Sequence, residues 1–156
     1  MTDRAGDRAG QHRTARMRKP IPLWLVLVGG AIVVVGVPIQ AFTIAAYVRG
    51  AGEGAIDAHL MGSFFVHVGQ LLIVVGAIWA WWGRWTQTLL AATFLALGVA
   101  QLAFLGDTGR PGGWVNGLHG FLALVILLAG GWYATRAWSG LRTRELEIAI
   151  PTIESA

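Results

Sequence analysis

Three histidines, His59, His67 and His119, and two glutamines, Gln70 and Gln101, stand inside long apolar runs of this sequence. Such groups are expensive in hydrocarbon unless they face a partner, a cavity or a cofactor. A neutral imidazole offers one ring nitrogen to a metal and one N–H to a hydrogen-bond acceptor. The residues around His59 and His67, DAHLMGSFFVHVGQ, and those around His119, WVNGLHGFLAL, also carry glycines that bring backbone within reach of a flat ligand: Gly62, Gly69, Gly117 and Gly120. There is no cysteine, which excludes disulfides, thioether-linked haem, thiolate metal sites and a cysteine nucleophile. No serine is paired with a base, no GxSxG occurs, and no acidic residue lies in an apolar run after Asp57. Hydrolytic chemistry and an acidic proton path therefore have no support, and the chain reads as not an enzyme in its own right. A zinc or copper site lacks any close histidine pair and has only Asp57 and Glu53 to add.

The elements that must position these residues follow from hydropathy. Of 156 residues 55 % are hydrophobic and 13 % charged, with mean hydropathy +0.60, a membrane protein's composition. Four apolar segments, about 23–48, 57–82, 88–105 and 114–138, are expected as transmembrane helices 1 to 4 of an all-α four-helix bundle. Residues 1–20 form a disordered basic tail, 21–138 the membrane domain and 139–156 a second polar tail. The run from Leu23 to Val48 is longer than a signal peptide's ~7–15-residue apolar region and stays in the membrane. Gly29, Gly30 and Gly36 allow close approach of another helix. Pro38 removes a backbone donor in the last third of helix 1, where Gln40 and Thr43 can satisfy freed groups.

Orientation follows from the basic residues. With the N-terminus inside, Arg4, Arg8, Arg13, Arg16, Arg18, Lys19, Arg84, Arg136, Arg142 and Arg144 face the cytoplasm and only Arg49 and Arg110 face out. Short connections make the bundle up-down-up-down, with both termini cytoplasmic, in a bacterial inner membrane. The basic tail is read as a topology anchor against anionic lipid, not a nucleic-acid surface. Most tryptophans close segments at the expected interfaces (Trp24, Trp81, Trp82, Trp85, Trp114, Trp138).

Two rulers then place the histidines. Counted from the inner arginines, His67 and Gln101 each lie 17 residues from Arg84, and His119 lies 17 from Arg136. That is one layer ~25 Å from the inner face, with His59 at ~37 Å near the outer interface. Counted from the outer loops, Gln40 to His59 is 19 residues and Gln101 to His119 is 18, as though the chain were two copies of one hairpin. The first ruler pairs His67 with His119; the second pairs His59 with His119. His59 and His67 are ~12 Å apart along one helix and cannot share one iron. Two histidines from helices 2 and 4 at one depth would suit a b-type haem, with Gln101, Gly62 and Gly120 beside it and Arg49 or Arg110 at its propionates. The competing reading has the histidines bonding Gln101, each other or backbone carbonyls and only locking the bundle, in a protein that packs on a membrane partner or a second copy.

At DAHLMGSFFVHVGQ and WVNGLHGFLAL the chain resembles a family of small bacterial four-helix membrane proteins of unassigned function, on His59, Gly62, Gln101 and His119. The resemblance covers roughly Leu23–Trp138. More distantly the arrangement is similar to cytochrome b561-type proteins and to each half of haem A synthase. That likeness leaves haem binding open, and the favoured reading is a b-type haem protein passing electrons near the outer leaflet. The acidic residue of the haem A synthase pattern has no counterpart except Asp57, so the likeness does not extend to haem modification.

Overall fold

The structure, a computed structural model, describes residues 20–103 and 113–149. They form four helices: α1 Ile21–Val48, α2 Glu53–Ala80, α3 Trp85–Ala103 and α4 Gly113–Ala149. No strand occurs among the described residues, and all four helices are long and apolar enough to cross a membrane. The basic cluster Arg13, Arg16, Arg18 and Lys19 and the loop bearing Arg110 lie outside the described residues.

The helices exceed the expected segments where polar residues are good helix formers. α2 starts at Glu53 rather than Asp57. α4 does not stop at Trp138 but continues through residues expected as a polar tail, reaching Ala149. Leu, Arg and Glu dominate that extension, and no proline interrupts it before Pro151. Leu141 also buries itself against Leu23 and Ala80, which ties the first turns of the extension to α1 and α2. The 37 residues of α4 run to ~55 Å, well beyond the ~30 Å of a hydrocarbon core. α1 passes unbroken through Pro38, and Thr43 Oγ1 donates to Gln40 O just beyond it, at 3.0 Å.

Glycine decides which helices meet closely. α1 packs chiefly on α2 and then on α4, while α3 packs on α2 and α4; α2 and α4 touch only slightly across the bundle. A Cβ on Gly29 would come within 2.5 Å of Gly69 O, and one on Gly69 within 2.9 Å of Gly29 O. Further along the same seam Gly76 faces Pro22 O, and Gly36 faces Val66. On the other side of α1, Gly30 meets Gly130 O and Ala134. Such backbone-to-backbone contact is how helices associate in lipid, where burying apolar surface gives little drive.

Between these seams lies a core of Val26, Val33, Val66, Ile73, Ala77, Phe94, Ile126, Tyr133 and Ala137. The outward faces are also apolar: Val35, Phe42, Phe64, Phe65, Leu89, Phe121 and Leu128 are all exposed. In water that surface would aggregate; against acyl chains it is matched. The Tyr133 ring packs on Phe94, Trp81 and Trp132, but its hydroxyl is buried without a partner. Tyr133→Phe is therefore expected to keep or raise stability, by up to ~1 kcal/mol, in a denaturant titration of the detergent-solubilised protein.

Candidate histidine site

At the end of the bundle holding the α1–α2 connection, His59 Nδ1 donates to Gln40 O across the α1–α2 seam at 3.0 Å. The counterpart in the second hairpin is the same bond: His119 Nδ1 donates to Gln101 O across the α3–α4 seam at 3.1 Å. Gln101 adds two bonds of its own, its Nε2 donating to His119 O at 3.3 Å and approaching His119 Nε2 at 3.5 Å. The hairpin correspondence suggested by Gln40–His59 and Gln101–His119 thus has a physical content. In each hairpin the second helix ties its histidine to a glutamine carbonyl on the first.

A neutral imidazole that gives its Nδ1 proton to a carbonyl keeps a lone pair on Nε2. This is the tautomer that metal-ligating histidines adopt when a backbone carbonyl orients them. His59 and His119 are both half-buried; the Nε2 lone pair of His119 faces the Gln101 side-chain amide at 3.5 Å.

His67 is placed differently. Its Nδ1 sits 2.8 Å from Ser63 O in its own helix, and its Nε2 lies 3.3 Å from Gly98 O of α3. A neutral ring can donate to only one of these carbonyls, and with both nitrogens facing backbone oxygens neither points toward a ligand. One turn on, the fully buried Gln70 donates from Nε2 to Phe94 O at 3.4 Å, while its Oε1 has no partner. Gly98 makes room for that amide, since a Cβ there would lie 2.7 Å from Gln70 Nε2. His67 and Gln70 together form the polar contact between α2 and α3.

No family model, curated protein or solved structure matches the chain.

Of the glycines expected beside a cofactor, Gly62 is covered by the Gln40 side chain, whose Cγ would lie 3.2 Å from an added Cβ. Gly69 is taken up by the α1 seam. Gly117 and Gly120 have open space beside them on either side of His119. Arg49 is exposed at the end of α1, beyond Gln40. Among the described residues there is no group of three or more potential metal ligands. Gln40 matters more than its sequence context suggested, because its backbone carbonyl orients His59. The signal was the matching Gln-to-His spacing of the two hairpins.

Proposed function

We propose that the chain is an up-down-up-down four-helix protein of a bacterial inner membrane, with both termini cytoplasmic. In this reading it binds a b-type haem through His59 of α2 and His119 of α4. The opposed order of contacts along the α1–α2 seam supports the topology: Pro22, Gly29 and Gly36 of α1 meet Gly76, Gly69 and Val66 of α2. Ten basic residues against two support the orientation. The observation that carries the haem reading is the repeated Nδ1-to-carbonyl bond, which sets both rings in the ligating tautomer at matching places in the two hairpins. A haem held there supplies one-electron redox chemistry near the outer leaflet. The residues' own part is to orient the two nitrogens, to leave backbone open at Gly117 and Gly120, and to offer Arg49 to an anionic edge.

A second reading is favoured by His67, whose two nitrogens both face backbone carbonyls inside the bundle. If His59 and His119 do no more than that, the chain is a non-catalytic membrane component whose histidines tie helices together beside a partner complex. The visible spectrum of protein purified in detergent from haem-replete cells, before and after dithionite, separates the two. The haem reading expects a Soret band that shifts on reduction. Colourless protein would sink it and leave the packing reading.

A further inference from the structure

The opposite end of the bundle carries a second polar feature. Arg84 after α2 and Arg136 and Arg144 of α4 line one pocket of ≈ 390 Å³ with Trp81, Pro22, Leu23, Ala80 and Gly140. Arg136 is half-buried and its guanidinium lies over two indole rings, Trp81 at 5.1 Å and Trp132 at 5.2 Å from their centroids. Stacking of this kind uses the face of the guanidinium and leaves its in-plane N–H groups to bind an anion. Arg84 is exposed at the mouth, and Arg144 has a further interaction within the protein. The nearest acidic residue in sequence is Glu145, exposed beside Arg144.

We propose that this pocket is a binding site for the phosphate of an anionic phospholipid. Bidentate arginine geometry matches phosphate oxygens. The volume is many times the ~30 Å³ share of one water. The lining also combines what a lipid needs, arginines with Pro22, Leu23 and Ala80, so the phosphate can meet charge while the glycerol end rests on apolar surface. Basic pockets between membrane helices at a cytoplasmic interface bind such headgroups. The proposal rests on the membrane-bundle reading and not on the haem reading.

The test uses the full chain, delipidated in detergent, with unfolding followed on addition of phosphatidylglycerol, phosphatidylcholine or inorganic phosphate. Phosphatidylglycerol is expected to raise the melting temperature and phosphatidylcholine to leave it unchanged. Stabilisation by inorganic phosphate alone would assign the site to a free anion and overturn the lipid source. Arg84→Gln, at an exposed position, should fold normally and bind phosphatidylglycerol about fivefold more weakly, the worth of one basic residue at an anionic surface. Arg136→Lys keeps the charge but loses the planar fork, and should weaken binding further than Arg84→Gln does. Equal stabilisation by both lipids, or an Arg84→Gln variant that binds phosphatidylglycerol as the parent does, would overturn the proposal.

Discussion

With haem bound as proposed, His59→Ala and His119→Ala are each expected to abolish the reduced haem bands, while His67→Ala keeps them. The reason is the difference in what the rings do. His59 commits Nδ1 to the Gln40 carbonyl and keeps Nε2 as a lone pair. His119 commits Nδ1 to the Gln101 carbonyl and turns its Nε2 lone pair to the Gln101 side-chain amide, a long 3.5 Å contact that a ligand would displace. His67 lies between Ser63 O and Gly98 O, able to donate to only one of them, with both nitrogens turned to backbone rather than to open space. As helix ties alone, the three would be nearly equivalent, since interhelical hydrogen bonds in membranes are worth about 0.6 kcal/mol on average and under ~2 kcal/mol at most. Loss of a ligand is another order of effect, because an iron held by one histidine no longer gives the sharp low-spin bands. Spectra and denaturant titrations of all three variants therefore report on different things. Spectra that fall together in all three would point to general unfolding, and the titrations would reveal it. Bands lost in His67→Ala and retained in His59→Ala would reverse the assignment and restore the pairing given by distance from the inner arginines.

The two rulers differed because a sequence fixes position along a helix but not rotation about it. Counting from Arg84 put His67 level with Gln101 and His119. In the structure His67 reaches α3 at Gly98, one turn from Gln101. What the count lacked was direction, and His67 points along the α2–α3 seam. The Gln-to-His spacing carried that information, since similar spacing across similar connections brings similar faces together. The four apolar spans were legible because bilayer thickness sets a length that few other constraints imitate. The extension of α4 was not, since Arg142, Arg144 and Glu145 suit a polar tail as well as a helix, and only the burial of Leu141 distinguishes them. The arginine pocket was equally hidden. Arg84, Arg136 and Arg144 read as orientation signals one at a time, and their common lining exists only once α2 and α4 are folded against α1.

Gly29→Val is expected to have the largest effect on folding of any single change in the bundle. Its added Cβ would meet Gly69 O at 2.5 Å, Ile73 N at 3.0 Å and Leu72 Cβ at 3.0 Å. Two of those three atoms are α2 backbone, which cannot swing aside as the end of a long side chain can. Overpacking a tight core typically costs about 1–3 kcal/mol, and a branched side chain against backbone should reach or exceed the upper end of that range. The consequences would run along the seam, because Gly76 on Pro22 O and Gly36 on Val66 depend on the same approach. Separating α1 from α2 would also draw Gln40 O away from His59. The variant should therefore lose both monodisperse yield in detergent and the His59-dependent haem bands. Gly54→Ala is the control, since a Cβ there meets nothing within 4 Å, and alanine within a helix is favoured over glycine by about 1 kcal/mol. It should be neutral or slightly stabilising. If Gly29→Val instead unfolds at the same denaturant concentration as the parent, the α1–α2 seam is looser than its geometry implies. The orientation of His59 would then need another source.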